Sequence, residues 1–398
     1  MSRNLILCIS DIHLGIDDRY GQINKNRTSL IHFLKSIRHS PKVKELIFNG
    51  DLFDQWFVPG NIDTLNDKSQ LGYLKSIADN NTDVIKVIRD IINDNKIKVI
   101  YIPGNHDMLF SKLEIDFIFP GILQFRDANG LGRYTPSYLP ELLIEHGHRY
   151  DFYCAPDALS NLNIVKDSIL PVGYFYCRLT ATSFIDDSKT YTNYITNVKI
   201  ENNSSKEKLA YLYWLVWKNS LLNFPIKYNK EDKFIITNIN SFKENYSLAD
   251  LIPYNSKKTG NIIFNLFPEI LNTWQNRQKL NNVSINIPIE EAITHSPSSN
   301  YIDDMSKLQY FNNSKSRFKI IVFGHTHSPS LFSYTNNNYA KCIYANCGSW
   351  VDKAKASNRN TFICISIPEY NCNTKVKVDL YSYSSTNNIK LLNSEIIY

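Results

Sequence analysis

Five short segments rich in Asp, Asn and His stand directly behind apolar, strand-like runs, and this repeated layout restricts the fold more than any other feature of the chain. Leu5-Ile6-Leu7-Cys8-Ile9 leads to Asp11-Ile12-His13, and Leu46-Ile47-Phe48 leads to Gly50-Asp51-Leu52-Phe53-Asp54. Val99-Ile100-Tyr101-Ile102 precedes Gly104-Asn105-His106-Asp107, Leu142-Leu143-Ile144 precedes His146-Gly147-His148, and Ile320-Ile321-Val322-Phe323 precedes Gly324-His325-Thr326-His327. Buried parallel strands read as continuous apolar runs, and ligands of open α/β sheets gather beyond the strands' carboxyl ends. All five segments are therefore expected at one edge.

Between the early runs the pattern turns helical. Leu30, Ile31, Phe33, Leu34 and Ile37 recur at helical spacing behind Thr28 and Ser29, which suit a helix start, and Val84 to Ile92 repeats the pattern behind Thr82. Strand, ligand turn, helix, strand implies βαβ crossovers and a largely parallel sheet. After Gly324 the stretches Cys342–Asn346, Phe362–Ile367 and Val376–Tyr383 read as short strands without intervening helices.

Between His148 and the last ligand segment lies a long Asn-, Tyr-, Ser- and Lys-rich stretch, and a structureless loop of that length is foreign to compact domains. The chain is accordingly divided into a discontinuous domain, residues 1–150 and 316–398, and an insertion, residues 151–315, expected to be mostly helical and to cap the site. Leu209 to Trp217 is the insertion's most apolar piece, and Lys218-Asn219-Ser220 ends it well short of the length needed to span a bilayer. It reads as a buried helix, with a substrate-facing wall as the sharper alternative. Ile262 to Gln278, with Trp274, is expected to form another helix.

The net charge of +6 over 398 residues is not gathered into a basic block, so nucleic acid is left open and not favoured as a partner. Seven cysteines without a CxxC pair fit a reducing compartment, and Asp11 and His13 cut the opening apolar run too early for a signal peptide. A cytoplasmic protein is expected, without a transmembrane segment, peripheral membrane contact remaining open.

In order and approximate spacing, the five segments resemble the DxH, GDxxD, GNH[DE], lone-His and GHxH signature of the calcineurin-like metallophosphoesterases, most closely in its bacterial form. The match covers residues 4–150 and 318–352 and leaves the insertion unmatched. The resemblance implies an α/β/β/α sandwich and two divalent metal ions. Asp11, His13 and His327 would hold one ion, Asn105, His146 and His325 the other, and Asp51 would bridge them. An Asp/His/Asn set without thiolate suits Mn, Fe, Zn or Ni, with Mn the first choice. His106 would act as general acid or electrostatic stabiliser with Asp54 orienting it, and the nucleophile would be hydroxide generated at the ions.

The expected activity is hydrolysis of a phosphate ester, a phosphodiester or pyrophosphate bond first, in a phosphorylated small molecule or lipid-like substrate. A DNA repair-type nuclease is the rival enzyme, because its DxHLG and GDLFD are matched by Asp11 to Gly15 and Gly50 to Asp54. A non-catalytic scaffold on the same fold is the alternative from another class, disfavoured because every ligand is present. Among the remaining site-segment residues, Asp107 reads as a structural cap, His148 as a competitor of His146, and Gly50, Gly104 and Gly324 as points of close backbone approach. Cys8, Cys342 and Cys347 read as core, and Asn346 to Trp350 as a supporting turn.

Overall fold

The apolar runs form the strands expected of them. Leu5–Ile9 (β1), Val43–Asn49 (β2) and Lys98–Ile102 (β3) lie parallel and adjacent, connected through Arg27–His39 (α1), Gln70–Asn80 (α2) and Thr82–Asn93 (α3). Helix α3 buries Val84, Ile85, Val87, Ile88 and Ile91 while its charged residues point outward, the stripe that seats a helix on a sheet. A further helix, Lys112–Ile118 (α4), carries a capping box between Ser111 and Glu114 and leads to the short parallel strand Leu123–Gln124 (β4).

The remaining strands of this region are Arg133–Tyr134 (β5), Leu142–Glu145 (β6), Ile320–Phe323 (β7), Ser330–Thr335 (β8) and Lys341–Asn346 (β9). Thr361–Ser366 (β10), Val376–Tyr383 (β11) and Ile389–Ile397 (β12) follow. They divide into a seven-stranded sheet, ordered β12-β11-β10-β1-β2-β3-β4, and a five-stranded sheet, ordered β8-β9-β7-β6-β5. Strands β1 to β4 run parallel and β10 to β12 antiparallel; in the second sheet β7 pairs parallel with β6 and β9. Alternate residues of the first sheet, Ile6, Cys8, Ile47, Ile100 and Ile363, share one buried core with Leu142, Ile144, Val322, Ile343 and Ala345 of the second. The two sheets therefore pack face to face. Helices α1 and α3 cover the first sheet, and Ser299–Ser306 lies against β9 of the second, giving the expected α/β/β/α layers.

This computed structural model describes residues 3–65, 68–185, 195, 197–222, 226–353, 359–367, 375–384 and 388–398. The chain forms two compact units. The first comprises Met1–Asp54, Gln70–His148 and Ser299–Tyr398; the second comprises Gln55–Ser69 and Arg149–Ser298. The division differs from the sequence reading at two places. Residues 299–315 stay with the sheets, because the Asp303 carboxylate accepts from Tyr344, Asn346 and Ser330 and the Tyr310 hydroxyl donates to Glu145 at 2.6 Å. Residues 55–69 join the second unit, because the buried Arg178 guanidinium donates to the carbonyls of Val58, Pro59, Gly60 and Ile62.

The second unit contains Gly173–Ile185 (α5), Ser205–Leu221 (α6), Ile270–Leu280 and Ile289–His295, with two-residue ribbons Ile235–Ile236/Asn245–Tyr246 and Tyr254–Asn255/Ile262–Ile263. The expected helix from Ile262 thus begins only at Ile270. Pro268 stands just before it, and a proline suits the entry to a helix, not its interior. Tyr213, Trp214 and Trp217 of α6 are buried, in keeping with a core helix. Helix α1 also departs from expectation: it begins at Arg27, and neither Thr28 nor Ser29 caps it. The carboxylate of Asp352 instead holds the chain that enters the helix, accepting the N–H groups of Asn24, Lys25 and Asn26 at 2.8–2.9 Å. No described helix is long and apolar enough to cross a membrane.

Candidate metal centre

All nine residues singled out from the sequence, Asp11, His13, Asp51, Asp54, Asn105, His106, His146, His325 and His327, belong to the first unit and follow the carboxyl ends of β1, β2, β3, β6 and β7. The turns are stitched to one another by backbone. The N–H groups of Ile12 and His13 both donate to the Asp51 carbonyl at 2.9 Å, and the Asp54 N–H returns to the Leu14 carbonyl. Asp11, His13, Asp51, His325 and His327 all adopt positive φ, between 53° and 68°. Non-glycine residues are uncommon there, and clusters of them mark sites that over-determine their backbone.

Two of the motif glycines are required by space. At Gly104 an added Cβ would overlap the Asp51 carboxylate, and at Gly50, which also has φ +85°, it would overlap the His146 ring.

Donor atoms converge in the space so framed. His13 Nε2 and His327 Nε2 face each other at 3.1 Å, and Asp11 Oδ1 lies 3.1 Å from His327 Nε2. Asp51 Oδ2 stands between His13 Nε2, at 3.7 Å, and His146 Nε2, at 3.2 Å. Asn105 Oδ1 faces His146 Nε2 at 3.3 Å and His325 Nδ1 at 2.8 Å. Ligand atoms at about 2.1 Å from a common ion are themselves about 3–3.5 Å apart, so these spacings fit shared cations. Asp11 Oδ1 is buried and accepts no geometrically sound hydrogen bond, as a carboxylate oxygen aimed at an ion would be. The set is oxygen and imidazole, as divalent ions of intermediate softness prefer.

Hydrogen bonds outside this set fix which nitrogen each ring presents. The Asp54 carboxylate accepts from His13 Nδ1 through Oδ2 at 3.1 Å and from His106 Nδ1 through Oδ1 at 2.8 Å. His146 Nδ1 donates to the Asn49 carbonyl at 2.8 Å. Both His13 and His146 therefore turn Nε2 inward. His148, by contrast, donates Nε2 to the Gly130 carbonyl at 3.0 Å, so of the two competing histidines it is His146 that faces Asp51.

Electrostatics favour added positive charge at this point. Burial opposes ionisation of Asp51, yet His146, His106 and His13 hold its carboxyl well below the usual range. Burial likewise opposes protonation of His146, but Asp51 and Asp11 outweigh it and push the imidazole up to about 9. Burial and the neighbouring His106 keep the His13 pKa low, against the pull of Asp54, Nε2 thereby keeping its lone pair. Asp107 is pushed up to about 6 by burial and by Asp51, although the Gly104 N–H counters this. Its carboxylate accepts from Gly104 at 2.7 Å and from Leu52 at 2.9 Å, joining two of the turns as a structural cap.

Three supporting contacts carried no signal in the sequence. The Asn49 acceptor is a backbone carbonyl, which any residue would supply. Asp54 serves two rings, whereas only its link to His106 was anticipated. Asp303 holds Asn346, whose amide donates to the Gly324 carbonyl at 2.8 Å and so braces the turn bearing His325.

The calcineurin-like phosphoesterase family model matches residues 5–329. No curated protein matches the chain. Among solved structures it aligns over 99% of its length with Vps29 of Chaetomium thermophilum, at 10% identity and TM-score 0.26 over 95% of that chain. A putative 5'-nucleotidase of Staphylococcus aureus in complex with α-ketoglutarate aligns over 99% of this chain and 53% of its own, at 8% identity and TM-score 0.28. Neither likeness is close enough to bear on function.

Proposed function

The chain belongs to the calcineurin-like phosphoesterase family, and from that premise we propose that it is a dinuclear metal-dependent hydrolase of phosphate esters, acting on a phosphodiester or pyrophosphate bond. The observation that carries this reading is the position of Asp51 Oδ2 between His13 Nε2 and His146 Nε2, where one carboxylate can serve two cations. Asp11, His13 and His327 would hold one ion, and Asn105, His146 and His325 the other, with Asp51 shared between them. Such a pair supplies charge neutralisation for the transferring phosphoryl group and water activated at neutral pH. Mn is our choice of metal among Mn, Fe, Zn and Ni, all suited to this donor mixture.

The chain's own residues divide the remaining work. Asp54 and the Asn49 carbonyl take the Nδ1 protons of His13 and His146, so Nε2 is the nitrogen each ring would offer to an ion, which at His146 would replace the proton that Asp51 stabilises. His106 gives its Nδ1–H to Asp54, which leaves Nε2 to deliver a proton to the departing oxygen; the carboxylate behind the ring stabilises its charged form. A lipid-like or other small phosphorylated molecule is the substrate class we favour.

The test is Asp51→Asn measured for metal content and for hydrolysis of a generic phosphodiester after Mn loading. Bound metal should fall and turnover should vanish together. Two ions per chain with unchanged turnover would overturn the reading.

A further inference from the structure

The turn from Gly324 to His327 carries a ligand for each of the two ions, His325 for one and His327 for the other. Its shape therefore sets both halves of the centre at once. Neither histidine sits in relaxed backbone, with φ 68° at His325 and 56° at His327. Non-glycine residues hold that conformation only where surrounding contacts over-determine it.

Those contacts come from three sides. The Gly324 N–H donates to the His146 carbonyl at 3.0 Å, and the His325 N–H donates to Asp11 Oδ2 at 3.1 Å. The third anchor is Asn346, which ends β9 directly opposite Phe323 of β7. Its buried amide nitrogen lies 2.8 Å from the Gly324 carbonyl and 3.1 Å from the Thr326 hydroxyl, so one side chain grips the residues on either side of His325. The Gly348 N–H donates to Asn346 Oδ1 at 3.0 Å and fixes which end of the amide faces the turn.

Behind Asn346 stands Asp303. Its Oδ1 lies 3.2 Å from the same amide nitrogen and accepts the Tyr344 hydroxyl, and its Oδ2 accepts from Ser330 at 3.1 Å. Asp303 is buried, and among the described residues no Lys, Arg or His pairs with it; the neighbouring Asp304 takes Lys307 for itself. A buried carboxylate without a cation costs the fold more than a neutral amide of the same shape would. Packing alone does not account for an acid at this position, whereas a strong acceptor behind the Asn346 amide does.

On the two-ion reading given above, we propose that Asp303 and Asn346 are positioning residues of the metal centre: Asp303 holds the Asn346 amide, and the amide holds the turn that carries one ligand of each ion. Their action is on the placement of His325 and His327.

The test uses the full-length protein, Asn346→Ala, Asp303→Asn and the double variant. In chelated protein, hydrogen exchange of the peptide from Phe323 to Ser328 reports the turn without any metal. Asn346→Ala should speed it by about 2- to 10-fold, the equilibrium factor for one lost hydrogen bond. Calorimetric titration with Mn then reads the consequence. Asn346→Ala should weaken Mn binding by about 10- to 100-fold, the range for losing a contact behind a ligand, and Asp303→Asn should weaken it by less. The electron paramagnetic resonance of the Mn-loaded protein should change alongside, because coupling between two Mn ions follows their separation. Asp303→Asn should do this while its urea midpoint at pH 7 stays at or above that of the wild type, which a merely structural role would not give. Added to Asn346→Ala, it should change Mn affinity no further, because Asp303 acts through the amide.

A wild type that holds two Mn ions, with an Asn346→Ala variant unchanged in exchange or in affinity, would overturn this proposal alone. Additive losses in the double variant, or a fall in the Asp303→Asn midpoint that accompanies its loss of metal, would do the same. A wild type holding fewer than two ions would sink the two-ion reading and this proposal with it. Two ions bound, with the variants behaving as stated and no ester hydrolysed, would count against the hydrolase reading and leave the positioning intact.

Discussion

Asp54 accepts the Nδ1–H of His13 at 3.1 Å while its other oxygen accepts from His106, so one carboxylate sets a metal-facing ring and a proton-donating ring together. Asp54→Asn should therefore damage two properties at once. Metal affinity should drop by about 10- to 100-fold, the range for losing a partner behind a ligand, with a further loss of rate at saturating metal. Isothermal titration with Mn, and turnover at metal saturation, measure the two separately; an effect on only one would show that the sharing has no functional weight.

The His106 ring is held through Nδ1 by Asp54 and stands outside the ligand set assigned to the ions, and His106→Ala should leave both ions in place. Hydrolysis should slow by about 10²- to 10⁴-fold if the ring acts as general acid. The loss should be smaller for esters of p-nitrophenol, whose departing oxygen needs little protonation. Equal losses for good and poor leaving groups would assign the ring to charge stabilisation alone.

Gly104 has no room for a side chain beside the Asp51 carboxylate. Gly104→Ala should displace that carboxylate and lower metal content and activity together. Its urea midpoint, measured on chelated protein, should move much less than its metal content. Full metal occupancy in Gly104→Ala would show that the turn yields freely.

Asp303 is buried, and burial pushes its carboxyl up to about 6 despite hydrogen bonds from Tyr344, Ser330 and Asn346. The folded chain thus holds this proton more tightly than the unfolded chain. The stabilisation is complete below the ordinary carboxyl range and is lost as pH rises through about 6. Between about pH 4 and pH 7 the wild type should lose on the order of 3 kcal/mol of unfolding free energy relative to Asp303→Asn, at 1.36 kcal/mol per unit. Urea unfolding of both proteins across that range would expose the difference; parallel curves would reject it.

The first unit was far more legible than the second. Apolar runs such as Ile320 to Phe323 are strands because nothing else buries so continuous a β-branched stretch, and Asp, Asn and His directly beyond them have nowhere to point but the sheet edge. Supporting contacts were hidden where they depend on tertiary placement: Asp352 holds the chain entering α1 across more than 300 residues, and Arg178 gathers residues 55–69 through carbonyls that leave no mark on side-chain pattern. The second unit was opaque for a related reason. Its helices bury aromatic residues such as Trp214 and Trp217 in a core of their own, and a buried aromatic looks the same in sequence whether it packs or lines a recess.

Left-handed backbone at Asp11, His13, Asp51, His325 and His327 bears on how this chain was shaped. Each position would rest more easily as glycine, by roughly 1 kcal/mol or more. Acid and imidazole side chains standing there together place the strain of the site in the backbone of its own turns, where glycine would relieve it but could offer no ligand to an ion.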